Sequence, residues 1–201
     1  MGHLLEPLLS ALAAMPERER IAALNDVRRR LHAVSPFAAE PVDCVLWIEA
    51  DKVEANDYNP NQVAPPEMRL LQHSIREDGY TQPIVGYDEG DCIEVVDGFH
   101  RNRVGKECKD VRERVKGYLP VTLLDKDRAD RIAATIRHNR ARGKHAVTGM
   151  SDIVLELSRR NWSEAKIGRE LGMEPDEVLR LKQITGLAEL FADKEYSEAW
   201  K

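Results

Sequence analysis

The segment Ile93–Lys106, "IEVVDGFHRNRVGK", decides how the rest of the chain is read. A short β-branched run ends in Asp97-Gly98, and His100, Arg101 and Arg103 follow at once. The run predicts a strand that stops at the glycine, and Phe99–Glu107 predicts a short helix behind it. A glycine between strand and helix lets the backbone pass close to a ligand. The N–H groups of the helix's first turn then form an anion site, to which Arg101 and Arg103 can add charge-assisted hydrogen bonds to phosphate. Asp97 could orient His100, bind a magnesium ion or accept a hydroxyl proton. The plainer alternative is a tight turn followed by solvated basic helix surface, and a motif this short taken alone favours it.

Working outward, "CVLWI" reads as a strand and Glu67–Asp78 as a helix stopped by Gly79. "QPIVGY", the turn "DEGD" and "CIEVVD" form a hairpin, and "LPVTLL" is a further strand. Strands with interleaved helices indicate an α+β class: a small mixed-sheet domain over residues 42–125. Residues 1–41 read as a helical arm and linker, with Pro16 opening a second helical piece and "VSPFAAEP" breaking the pattern. After Asp125 everything reads as helix, giving an all-helical domain over 126–201. Within it Ser163 caps a helix with Ile167 and Leu171 inward, Gly172 makes a turn, and Pro175 opens a helix carrying Val178, Leu179 and Leu181. That grammar predicts a helix-turn-helix at about 162–184.

Composition bounds the class. The 201 residues are 42% hydrophobic and 32% charged, as expected of a soluble globular protein, and no apolar run is long enough to span a membrane. Glu6 and Pro7 interrupt the apolar N-terminal stretch and no basic segment precedes it, which speaks against a signal peptide. Cys44, Cys92 and Cys108 are odd in number and at unrelated spacings, which favours a reducing cytoplasm over a disulfide framework or a metal site. Cys92 and Cys108 read as small buried residues, and Trp47, Trp162 and Trp200 as packing residues.

The net charge of −5 conceals an asymmetry. Asp43–Asp97 holds 13 acidic and 3 basic residues, whereas Arg101–Arg160 holds 16 basic and 8 acidic. Charge runs are usually solvated faces, but here the sign changes at the DGFHR turn, so one side of it can attract an anion.

The ordered set "NPNQ", "LQHSIREDGYTQPIVGY", "IEVVDGFHRNRVGKE", "LPVTLL", "IRHNRARG" and the helix-turn-helix resembles the ParB/sulfiredoxin superfamily over about Val42–Leu190. In particular it resembles the ParB architecture, a nucleotide-binding domain followed by a helix-turn-helix. Over its whole length, the chain is similar to IbrB-type co-activators of prophage gene expression. The resemblance implies binding of a nucleoside triphosphate (CTP or ATP) with Mg2+, DNA binding and a homodimer. Through the IbrB likeness it also implies a partner similar to phosphoadenosine-phosphosulfate reductases.

Residue by residue, Gly98, Arg101 and Arg103 match the Gly-Glu-Arg-Arg-x-Arg box of ParB, with Phe99 and His100 replacing the glutamate and first arginine. His138, Asn139 and Arg142 resemble the Glu-Asn-x-x-Arg motif, with His138 in place of the glutamate tied to CTP hydrolysis. Sulfiredoxin has a nucleophilic cysteine where Phe99 stands, so its chemistry is excluded. Asp97, Gly98, His100 and Arg101 also match the Asp-Gly-x-His-Arg turn of free-serine kinases. A nucleotide-dependent phosphotransferase or NTPase, with Asp97 and His100 catalytic and Glu54 or Asp57 as the loop carboxylate, is therefore the alternative to a regulator.

Candidate DNA-contacting residues are Ser163, Lys166, Arg169, Arg180, Lys182 and Gln183. Glu174, Asp176 and Glu177 open the second helix, where they suit the helix dipole but repel phosphates. From Glu174 to Lys201 there are 7 acidic and 4 basic residues, a poor footprint for non-specific DNA binding. The basic stretch Arg137–His145 is the better phosphate-contacting candidate, for DNA or for nucleotide.

Overall fold

A computed structural model describes residues 2–58, 65–140 and 147–192, which fall into two compact units. The first holds residues up to 55 and 65–125; the second holds 56–58 and the chain from 126 onward.

The first unit begins with α1 (Gly2–Ala14), which runs helical through Pro7, and α2 (Glu17–Ala33). Glu17 and Glu19 in the first turn of α2, and Arg30 and His32 in its last, match the sign of the helix dipole at each end. There follow β1 (Leu46–Glu49), β2 (Val53–Glu54), α3 (Pro65–Asp78), β3 (Ile84–Asp88) and β4 (Ile93–Asp97). Then come α4 (Phe99–Glu107), α5 (Lys109–Arg114) and β5 (Tyr118–Leu123). The five strands form one mixed sheet in the order β1-β5-β3-β4-β2. The expected hairpin is the antiparallel pair β3–β4, while β3–β5 and β2–β4 are parallel.

Val53, Ile84, Val95, Leu119 and Val121 fill the core of the sheet at near-zero exposure. Each such side chain contributes about 1.5–3 kcal/mol by leaving water. Ile75, Val104 and Val111 form a second cluster where α3, α4 and α5 meet. That packing fixes α4, and with it the DGFHR turn, against α3 and α5. Gly79 ends α3 in the left-handed conformation expected of it (φ +81°).

Asn25 of α2 is buried and joins that helix to the edge strand. Its Nδ2 donates to the Trp47 carbonyl at 2.7 Å, and its Oδ1 accepts from the Trp47 N–H at 3.0 Å. A side-chain amide thus satisfies the free main-chain groups of β1 much as a neighbouring strand would.

The second unit is made of α6 (Arg128–Arg140), α7 (Val147–Arg159), α8 (Glu164–Leu171) and α9 (Pro175–Ala192). Ile132, Ala133 and Ile136 of α6 are buried as their spacing predicts, together with Val154, Leu157, Ile167, Leu171 and Val178. The architecture is the expected α+β unit with a helical unit carrying a helix-turn-helix.

Four details depart from expectation. Leu179 is 41% exposed, because α9 turns Val178 and Leu181 inward and leaves the two residues between them on the outer face. Cys92 and Cys108 are only partly buried. β2 has two residues, too few to alternate visibly, and its existence rests on parallel pairing with β4. α5, "KDVRER", has Val111 as its one apolar residue and so no periodicity to read.

Candidate functional site

Gly98 stands between β4 and α4 with φ +93°, ψ +25°, a left-handed conformation that an L side chain takes at a cost of about 1–2 kcal/mol. A Cβ there would lie 3.0 Å from Arg101 Nη2 and 3.3 Å from the Ile84 Cα, so the turn needs glycine for space as well as for torsion. Gly98, the N-cap residue of α4, has no side chain with which to cap the helix, and the first-turn amides of a helix have no partner within it and suit an anion. The strand, the glycine and the nine-residue helix are those read from the sequence.

Around this turn the motif residues divide into two groups. Asp97 is 7% exposed and Arg101 is drawn in beside it, with Arg101 Nη2 at 3.3 Å from Asp97 Oδ2. The same guanidinium donates to Gln82 Oε1 at 2.9 Å and to the Pro83 carbonyl at 3.2 Å. The Tyr80 hydroxyl donates to the Arg101 carbonyl at 2.9 Å, and burial raises the Tyr80 pKa, so it remains a phenol and a donor. Arg101 is therefore a brace tying β4, α4 and the segment before β3. Gln82 and Tyr80, 19 and 21 residues away, are partners that no spacing in the sequence announces.

His100 and Arg103 form the second group. His100 is half-buried; burial first, then the positive charges of Arg103 and Arg101, lower its pKa against the opposing pull of Asp97. The imidazole is thus neutral at pH 7 and offers a hydrogen bond rather than a charge. Its ring meets that of Phe99 edge to face, 5.4 Å between centroids. Arg103 is exposed and pairs at 2.9 Å with the equally exposed Glu107, a contact of the kind worth little in water.

Other expected participants lie elsewhere. Glu54 is exposed on β2, whereas Asp57 belongs to the second unit and receives two hydrogen bonds from Arg128, at 2.9 and 3.1 Å. His138 is partly buried near the end of α6 in that unit. Asn139 is also in α6, but its side chain and the whole of Arg142 lie outside the described residues, as does Trp200. Among the described residues no group of three or more His, Cys, Asp or Glu is gathered to hold a metal ion.

The helix-turn-helix is built as its sequence grammar requires. Ser163 Oγ accepts from the Lys166 N–H at 3.2 Å and caps α8. Gly172 is left-handed (φ +66°). A Cβ on Gly168 would lie 2.8 Å from the Met173 carbonyl oxygen, so that glycine is what lets the turn fold back onto α8. Of the six candidate contact residues, Ser163 serves as the cap, Lys182 is bound to Glu164 at 2.9 Å, and the Lys166 ammonium sits 3.6 Å from the Trp162 ring centre. Arg169, Arg180 and Gln183 are exposed. Glu174, Asp176 and Glu177 are exposed at the head of α9.

Residues 145–193 match the family model of the IbrB-like C-terminal HTH domain. The chain is also 59% identical over 199 residues to the Escherichia coli K12 protein named Uncharacterized protein YbdM, covering 98% of this chain and 95% of that one. The chain belongs to the YbdM family. For this YbdM relative the IbrB likeness read from the sequence is borne out at the helix-turn-helix. Solved structures similar to it include ParB from Caulobacter crescentus complexed with CTP-gamma-S (TM-score 0.41, 17% identity, 73% of this chain and 83% of that). The same protein complexed to the centromeric parS site gives TM-score 0.47 at 14% identity, covering 72% of this chain and 75% of that. A Pnob8-like ParB-N domain gives TM-score 0.47 at 13% identity, covering 76% and 74%. No described helix is long and apolar enough to cross a membrane.

Proposed function

We propose that this protein is a cytoplasmic DNA-binding regulator, a co-activator of gene expression, whose α+β unit binds a nucleotide at the DGFHR turn. The observation that carries the reading is the glycine-led N-terminus of α4, with His100 and Arg103 set apart from the braced pair Asp97–Arg101. The first-turn amides of α4 take a phosphate oxygen, neutral His100 adds a hydrogen bond, and Arg103 leaves its weak surface pair with Glu107 to add charge. Arg101 holds the turn in shape instead of meeting the ligand. Magnesium accompanying the nucleotide neutralises phosphate charge.

Phosphotransfer by Asp97 and His100 is the weaker reading, because the Asp97 carboxylate is buried and paired with Arg101. DNA contact falls to Arg169, Arg180 and Gln183, and the acidic head of α9 keeps non-specific affinity low. Two copies acting together would read a two-fold symmetric site, and a reductase-like partner protein, taken from the IbrB resemblance, completes the proposal.

The experiment is calorimetric titration with CTP, ATP and ADP in the presence of magnesium, followed by duplex binding across salt concentrations with and without the nucleotide bound. Saturable nucleotide binding that weakens in Arg103→Ala, with salt-dependent duplex binding, supports the reading. Absence of nucleotide binding removes the α+β half of it. Turnover with a small hydroxyl acceptor, abolished in Asp97→Asn, would establish the phosphotransferase instead. Absence of salt-dependent duplex binding in either condition removes the DNA half.

A further inference from the structure

The first unit contains a cavity remote from the DGFHR turn and independent of the function proposed for it. It measures about 240 Å³ and lies between α2 and the β1–β5 side of the sheet. Ile21 and Leu24 of α2, Trp47 of β1, Val115 just after α5 and Tyr118 at the start of β5 make its walls. Among the described residues, the charged ones lining it are Arg28, Arg114 and Lys116, and no acidic side chain lines it.

The three cations are not equivalent. The Arg114 guanidinium donates to the carbonyls of Ile75 and Arg76 at the end of α3, so only its stem serves the cavity. The Lys116 ammonium is paired with Glu17. Arg28 is half-buried, and its hydrogen bond goes to a neutral amide oxygen, Asn25 Oδ1, at 3.3 Å. It has no carboxylate partner among the described residues. A guanidinium stays charged at any ordinary pH, and a partly buried charge is costly unless something pairs with it. Beside an apolar wall this arrangement lacks one thing, an anion on an apolar body.

We propose that this cavity is a binding site for a small organic anion with an apolar body, a carboxylate whose head group pairs with Arg28 and whose body packs between Leu24, Trp47 and Tyr118. Its volume, below the roughly 300–1,000 Å³ of drug-sized sites, sets the size class at a medium-chain fatty acid or a single-ring aromatic acid. Arg28 and Trp47 both bond to Asn25, the residue that fastens α2 to the edge strand. An occupant therefore bears on the joint between helix and sheet, and binding tightens it.

The test titrates the full chain calorimetrically with octanoate, octylammonium and octanol as probes. Octanoate is expected to bind saturably at one site, and octylammonium is not. Arg28→Gln should weaken octanoate about tenfold, the loss of one charge-assisted hydrogen bond, while Arg29→Gln, an exposed neighbour on the same helix, should leave it unchanged. A terminally brominated octanoate locates the site without altering the core: it should quench tryptophan emission saturably in the wild type and fail to do so in Trp47→Phe. No saturable octanoate binding, equal binding of octylammonium, an unchanged affinity in Arg28→Gln, or quenching retained in Trp47→Phe would each overturn the proposal.

Discussion

Two glycine-centred turns organise the candidate sites of this protein, and they are held by different means. At Gly172 the partners are neighbours in the chain: Ser163 caps α8, Met173 returns a hydrogen bond to Gly168 at 2.8 Å, and Val178 and Leu181 close the core a few residues on. At Gly98 the partners are distant: Gln82, Pro83 and Tyr80 come from the segment before β3 to hold Arg101. The first turn can be read from local grammar. In the second, two arginines two residues apart acquire opposite fates, one drawn inward as a brace and one left in water.

The sharpest way to break this comparison is to empty the core beneath the local turn. Leu171→Ala should destabilise the helical unit by about 2–5 kcal/mol through loss of a fully buried side chain and the cavity left behind. Urea unfolding followed by circular dichroism checks it, and a change below about 1 kcal/mol would mean that the turn is not held by its core.

The distant turn is tested by the two arginines. Arg101→Ala should cost roughly 2 kcal/mol, because it removes a charged hydrogen-bond partner from the buried Asp97 carboxylate. Arg103→Ala should change stability by less than about 0.5 kcal/mol while weakening nucleotide binding. Thermal melts beside calorimetric titrations separate the two; equal stability losses would contradict the division of roles.

A smaller effect sharpens the local side. Ser163→Ala should cost about 1 kcal/mol as the α8 cap is lost, with Ser163→Asp retaining most of it. Equal losses in the two variants, read from denaturant midpoints, would show that the hydroxyl is not acting as a cap.

The smallest effect concerns pH. The His100 pKa is lowered by folding, so the unfolded chain binds more protons near the ordinary imidazole value of about 6.5. Its contribution to stability is therefore complete above that value and declines as pH falls below it toward the lowered folded pKa. His100→Gln should flatten this part of the stability profile below the ordinary imidazole value of about 6.5, and the His100 ring resonances in NMR should titrate below the usual range.

Much of the fold was legible because local rules sufficed for it. The limits of α4, the β3–β4 hairpin, the left-handed Gly79 and the order Ser163–Gly172–Pro175 all follow from capping and turn chemistry acting over a few residues. β2 and α5 were not legible, since two residues cannot show a period and "KDVRER" has one apolar side chain. Within the candidate site the motif located the turn but could not apportion its residues. Among the candidate DNA-contacting positions, spacing placed Ser163, Lys166 and Lys182 on the motif, where capping, the Trp162 ring and Glu164 engage them.

By itself, then, the sequence determined the α+β order, the glycine turn opening a helix, and the helix-turn-helix, because these depend on backbone torsions and on side-chain periodicity. Tertiary structure alone decided that Arg101 is inward and Arg103 outward, that Asn25 closes the sheet edge at Trp47, and that Arg28 lines an apolar cavity with no carboxylate partner among the described residues. Those outcomes depend on contacts between residues 18 to 22 positions apart or more, and long-range proximity leaves no periodic mark in the chain.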